Sequence, residues 1–443
     1  ALIYHSQLIK NQAPLMLIRV NPRLTKGGCI TAFYSKIRMI NSTFLSNSAT
    51  LGGVIFLQLS FLDIQKSKFM NNEAIENGGC IFADSGCNVT ITDTAFMNNI
   101  AWFSGGALFM AKDDNVHIAL SYFYGNKANH SGGSIHIGMH SELSIANTRF
   151  NHNLALDSGG AISCLLHSHI TIEKVTFYKN QASNMAGAIM ADSNCTLIAF
   201  NSTFDNNSAA NFDFPFTDIL NASAQILECG YFLIKLNRQA GAIMAQLYST
   251  LELQHCVLIN NFAENEAGAV YIQQQSTAKI TSSLFIANQA GETGGALVTL
   301  FAETRLTDSE FVSNMATSGG ALTGFDNAHI WTTMCKFTNN SSQFYGGSIL
   351  LYHASLQDYK SLFSENYAGF LGGAVYLEKY STAILQFSNF IDNLVHIAGG
   401  GVAATSGSLL QMDSCVFHSN IAQTSDTPLN DTRGMKEAHQ IQL

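Results

Sequence analysis

Charge is what this chain has least of. Only 12% of its 443 residues are Asp, Glu, Lys or Arg, about half the usual share of roughly 25%. The net charge of −9 is spread out with no Lys/Arg run, which excludes a basic nucleic-acid groove. Prolines number 4 and hydrophobic residues make up 47%, so the chain is not a disordered low-complexity segment. No apolar stretch approaches the ~20 residues that span a bilayer. Also missing is any sustained apolar stripe at helical spacing, which excludes a helical repeat.

What is there is one short pattern, repeated. Its clearest copy is Phe96-Met-Asn-Asn99-Ile-Ala101 followed by Gly105-Gly106-Ala107-Leu108, and the next copy starts at Phe123. The aromatic slot occurs sixteen times, from Ile18 through Phe96, Phe123, Phe150, Phe177, Phe204, Tyr231 and Leu258 to Phe417, at spacings of 25 to 27. A fixed period of this length is the mark of a solenoid, which keeps one continuous core over residues 1–422 in place of separate domains. Leu2-Ile3 sits one full period before Cys29-Ile30. The chain is therefore expected to open within a repeat, as a processed product or a segment of a longer protein.

Within a period, Leu143-Ser144-Ile145 alternates apolar and polar, as do Val89/Ile91, Val116/Ile118 and Ile170/Ile172. Period two with β-branched residues means strand. Phe150 follows Ile145 by an odd step, so a bend must intervene; small residues such as Ser121, Thr148 and Cys256 stand two before the aromatic. Three positions after it, Asn fills fifteen of sixteen slots, including Asn99, Asn126, Asn153 and Asn180, with Ile234 the exception. Its amide donates and accepts, so equal side chains can bond along a stack, and Asn also tolerates left-handed backbone. The second member of the glycine pair (Gly106, Gly133, Gly160, Gly187) is Gly in fourteen of fifteen slots, Phe214 alone failing. That implies positive φ or an approach with no room for Cβ.

Three short strands and three corners per coil predict a right-handed parallel β-helix of about sixteen coils, with rungs ~4.8 Å apart. A Phe stack and an aliphatic stack would fill its interior. Residues 210–239 lack both motifs, yet the step from Phe204 to Leu258 is two full periods; this predicts a degenerate coil or bulge there. Residues 423–443, polar and without a glycine pair, read as a C-terminal cap or linker.

The pairing of GGA(I/L/V) with FxxN, as in Gly159-Gly160-Ala161-Ile162 and Phe177-Tyr-Lys-Asn180, resembles the repeats of chlamydial polymorphic outer membrane proteins. Related repeats occur in surface proteins of ciliates and other protists. The resemblance covers residues 18–422. It implies a surface-exposed adhesin, although this chain carries no C-terminal membrane barrel.

Function is weighed from the outward positions. Scattered acids, with no stacked carboxylate set, argue against a polysaccharide-active enzyme. One polar column runs Asp113, His140, His167, Asn194 at ~5 Å steps and could ligate a divalent transition metal; otherwise it is an exposed corner rich in histidine. Of the nine cysteines, Cys229 and Cys256 fall in one column within disulfide range, and Cys80 and Cys87 lie across one corner. The alternative is that cysteine serves as a small buried side chain. Ten N-x-S/T sequons include Asn41, Asn88, Asn129, Asn194, Asn201, Asn221 and Asn339. Asn340, in the interior ladder, should stay unmodified. The expectation is a non-enzymatic extracellular or cell-surface adhesin or stalk, without a cofactor, that binds proteins or surface glycans and self-associates through its ends. A structural filament and a carbohydrate-active enzyme of pectin-lyase-like fold are the alternatives.

Overall fold

The computed structural model describes residues 2–4, 7–9, 25–210 and 238–423. Each coil carries four strands where three were expected. One coil runs Ile135–Met139, Glu142–Ala146, Arg149–Asn151 and Leu154–Ala155. The fourth strand is only a pair of residues, too short to show any alternation in sequence. Each strand pairs in parallel with its equivalents one coil below and above, as in Phe123↔Phe150↔Phe177. Four parallel sheets of 14, 15, 15 and 14 strands result, wound as a right-handed β-solenoid. They will be called sheets 1 to 4, in the order in which a coil visits them after its glycine pair.

The described residues form fourteen complete coils, fewer than the sixteen expected. Two of the aromatic slots account for the difference. Opposite Phe44 stands Leu8, in the partial coil formed by Leu2–Tyr4 and Gln7–Ile9, while Ile18 lies outside the described residues. Leu2 pairs with Arg38 and so has no register with Cys29.

The second missing coil is the degenerate one. Phe204 pairs directly with Leu258, Ala209 with Ala263, and Asn207 donates to Asn261 Oδ1. No rung fits between two coils bonded to each other, and the degenerate coil or bulge expected at 210–239 falls on residues 211–237, Tyr231 and Cys229 among them. They lie outside the described residues, as do Phe214, Asn221 and the tail after residue 423. The stretch from 211 to 237 is as long as one period, which is why the repeat kept its phase across it.

Corners turn on single residues of left-handed backbone. His140, Asn147 and His152 have φ of 53°, 47° and 56°. The ladder Asn is not one of them; at each rung the residue before it takes the strained conformation. What requires Asn is its amide. Asn153 Oδ1 accepts from Asn126 N at 3.0 Å and Asn126 Nδ2 at 3.1 Å, while its Nδ2 donates to Phe123 O and to Asn180 Oδ1. A hydroxyl ladder runs parallel to it: Thr148 Oγ1 accepts from Ser121 N and donates to Ala146 O.

The two glycines of each pair have different reasons. Gly159 has φ of +63°, where Cβ is unfavourable. Gly160 has no such φ; a Cβ there would lie 2.2 Å from Gly187 O of the next coil. Gly106, Gly133 and Gly187 repeat that approach at 2.1 to 2.3 Å, the last of them against Gly241.

The lumen is packed by stacked phenyl rings. Phe150 is fully buried, with centroids 4.7 Å from Phe123 and 5.0 Å from Phe177 and rings within 10° of parallel. Aliphatic columns from sheets 1 and 2 fill the rest. Sheet 1 is buried on its outer face as well. Phe56, Phe82, Phe109 and His136 stack there at 5.5, 5.0 and 4.7 Å. The glycine-pair corner folds back over them: Leu51 packs on Phe56 and Phe82, and Lys26 Nζ sits 4.1 Å over the Phe56 ring. The spacing of these rings by one period each was visible in the sequence.

Candidate functional site

Asp113, His140 and His167 do form a column. Asp113 N donates to Met139 O, His140 N to Leu166 O and His167 N to Ser193 O, all within 3.0 Å, which sets the four corners through Asn194 in register. All four residues are in left-handed backbone, φ 53° to 63°. The metal expectation does not survive the geometry. The imidazoles of His140 and His167 stack face to face, centroids 5.4 Å apart and 8° from parallel. Ring-nitrogen lone pairs lie in the ring planes, so parallel rings aim past one another and share no focus. Asp113 turns to Lys112 Nζ at 3.7 Å. Among the described residues, no three His, Cys, Asp or Glu side chains are placed to hold a metal ion.

Of the two disulfide expectations, the one joining Cys229 to Cys256 falls on a residue outside the described ones; Cys256 itself is in register with Ser202 and Ser283. Cys80 accepts from Asn72 Nδ2, whereas Cys87 donates to Asp84 O; both are free and buried at opposite ends of the strand Ile81–Asp84. Among the sequon residues, Asn41, Asn88, Asn194, Asn201 and Asn339 are exposed and Asn129 is half-buried. Asn340 is fully buried.

A Ser–His–Asp cluster that the sequence reading missed lies at the corner over sheet 1. His130 Nδ1 is 2.7 Å from Ser131 Oγ, which is 3.1 Å from Ser158 Oγ. On its other side, His130 Nε2 is 3.9 Å from Asp157 Oδ2, and Asn184 Nδ2 donates to Asp157 Oδ1 at 3.0 Å. Nucleophilic catalysis needs an accessible hydroxyl and an imidazole held by the acid at hydrogen-bond distance. Ser131 is 3% exposed, and the 3.9 Å separation is too long. This cluster is a polar seam between coils. The one-period spacing of Ser131 to Ser158 and of His130 to Asp157 is the signal that could have found it.

Buried acids have structural partners as well. Asp114 is 1% exposed and accepts from Cys87 N at 2.8 Å and Lys112 N at 3.3 Å. Burial pushes its carboxyl up to about 6, against the pull of those bonds. Asp358 points into the lumen and accepts from Thr332 Oγ1 and Ser388 Oγ, both at 2.5 Å; burial raises its pKa.

A cleft of about 680 Å³ runs along the corner between sheets 1 and 2. Tyr248 and Phe301, 58% and 49% exposed, line it two coils apart. Gln274 and Gln275 lie on the coil between them, with Glu303 and His329 alongside. Left-handed backbone at Tyr248, Gln275 and Phe301 turns these side chains outward. At ~4.8 Å per coil the two aromatic corners are about 10 Å apart. An open trough with aromatic walls, carboxamides on its floor and an acid at its rim can stack on apolar ring faces while bonding to hydroxyl groups. The sequence concealed it because its residues share no pattern with the columns above and below.

Residues 52–224 match the family described as right-handed beta helix region. No curated protein matches the chain.

Proposed function

We propose that this chain is a non-enzymatic binding protein of the cell surface or extracellular space, and that it holds glycans in the corner cleft between Tyr248 and Phe301. One observation carries the reading. The recurrent Phe, Asn, Ser/Thr and Gly columns are consumed in folding, whereas the cleft combines exposed rings with amide and carboxylate groups outside those columns. Most small-ligand sites are concave and lined in this mixed way. Likeness to the repeats of polymorphic outer membrane proteins supports the adhesin role, and the exposed sequon residues suit a secreted chain.

The test is an array of immobilised glycans probed with the wild-type chain and with Tyr248→Ala/Phe301→Ala. Loss of glycan binding in the double variant, with unchanged circular dichroism, supports the reading. Equal binding by both proteins removes the cleft from it. Shortened oligosaccharide products after incubation would replace the adhesin with an enzyme.

A further inference from the structure

Cys164 and Cys195 were not paired by the sequence reading, because they occupy different columns. Cys164 ends the sheet 1 strand Ile162–Cys164 and faces the lumen. One coil later its strand partner is Ala191, and shortly beyond that the chain turns at Cys195, in a column that otherwise holds Ser60, Cys87, Asp114, Ser141, Ser168 and Ser249. Both cysteines are fully buried. Their Sγ atoms lie 2.6 Å apart. The buried Cys87, Cys256 and Cys335 spend their sulfurs on backbone carbonyls and Cys80 accepts from Asn72 Nδ2; Cys164 and Cys195 face each other.

We propose that Cys164 and Cys195 are an oxidation site, joined as a disulfide that staples two successive coils from inside the lumen. Bond formation removes one proton and one electron from each thiol. A small-molecule disulfide such as oxidised glutathione accepts the two electrons by thiol–disulfide exchange and leaves as two thiols. The first sulfur forms the mixed disulfide and the second displaces the leaving thiol. Both sulfurs are sealed once the coils stack, so the exchange belongs to folding. Reductants then reach the bond only after unfolding. The staple ties the coil that leads into residues 211–237 to the coil below it, and Cys195 N bonds to Ser249 Oγ across those residues. It therefore fixes the rung on which the chain must close over its longest break in the repeat. This bond depends only on side-chain positions, and holds whether or not the glycan-binding reading does.

The test is to refold the purified chain in a glutathione redox buffer, denature it without reductant, block free thiols with N-ethylmaleimide and digest with trypsin and chymotrypsin. Expected is a linked peptide pair holding Cys164 and Cys195, two hydrogens lighter than the separate thiol peptides, which disappears on reduction. It should persist in Cys229→Ala, which excludes Cys229 as the partner. The native protein should resist reduction by dithiothreitol, and Cys164→Ala/Cys195→Ser should fold but unfold at lower denaturant. Both thiols alkylated without reductant, or either one linked to a different cysteine, would overturn the proposal.

Discussion

Asn339 and Asn340 are adjacent, identical and placed oppositely, which makes them a controlled comparison. Asn340 Oδ1 accepts from Asn314 N and Asn314 Nδ2, each at 3.0 Å. Its Nδ2 donates to Phe311 O at 2.9 Å and to Asn366 Oδ1 at 3.1 Å. Asn340→Ala takes a partner from the buried Asn314 N and Phe311 O, while Asn314 Nδ2 keeps Phe285 O and Asn366 Oδ1 still accepts from the backbone N of residue 340. A buried group left without its partner costs about 1–3 kcal/mol, so the variant should lose on the order of 2–4 kcal/mol once the site relaxes. Asn339 is exposed, has φ of 55° and loses only a bond to Ser313 Oγ when truncated. Asn339→Gly keeps the left-handed backbone and should change stability by less than ~0.5 kcal/mol. Urea unfolding gives the totals. Hydrogen exchange locates the damage, which should concentrate on the coils around Asn314, Asn340 and Asn366, because a solenoid couples mainly nearest neighbours. Equal effects of the two substitutions would refute the buried ladder as a source of stability.

Three further outcomes follow from the same geometry. Gly160→Ala puts a Cβ 2.2 Å from Gly187 O and 2.4 Å from Gln181 O; backbone cannot swing aside, so the variant should lose at least ~2–3 kcal/mol and show a lower melting temperature. Asp114 binds its proton more tightly when folded than when unfolded, so its contribution to stability falls as pH rises from about 4 to about 6 and is constant above that. Replacing it with the serine common in its column keeps the bond from Cys87 N, so Asp114→Ser should gain about 1–2 kcal/mol at pH 7 and lose that slope in pH-dependent urea melts. After expression through a eukaryotic secretory route, glycopeptide mapping should find sugar on exposed positions such as Asn194 and Asn339 and none on Asn340; an occupied Asn340 contradicts its burial.

How far the sequence went depends on the column. Phe150, Asn153 and Gly160 were legible because each faces a site that repeats unchanged in every coil, so one physical demand is written many times. The strand Leu154–Ala155 was not, because so short a strand carries no periodicity. The outer stack of Phe56, Phe82, Phe109 and His136 was overlooked because alternation suggests that every second residue of a strand meets water, whereas the glycine-pair corner folds back over it. Residues 211–237 match one period in length, so the spacing from Phe204 to Leu258 alone could not reveal that these two coils pair directly. At the candidate sites, register was predicted correctly for Asp113, His140 and His167, but side-chain direction was not. Spacing fixes which residues neighbour each other along the stack; it does not say whether two imidazoles converge on a point or lie flat against one another. Tyr248, Gln275 and Phe301 form the cleft through their differences from the repeat, which is where repeat analysis has no purchase.

The account rests on a single unbroken solenoid that closes over residues 211–237, and deleting that segment tests it most directly. Joining Ala210 to Arg238 produces Ala209-Ala210-Arg238-Gln239-Ala240-Gly241, which matches Ala182-Ser183-Asn184-Met185-Ala186-Gly187 of the coil below position for position. The shortened chain should fold with the same far-ultraviolet circular dichroism and unfold in urea at the same denaturant concentration or slightly above, since a shorter loop costs less entropy to close. An unfolded or aggregated product, or a large loss of stability confined to the coils of Phe204 and Leu258, would mean that residues 211–237 are a rung of the stack, and the direct pairing of those two coils would be wrong.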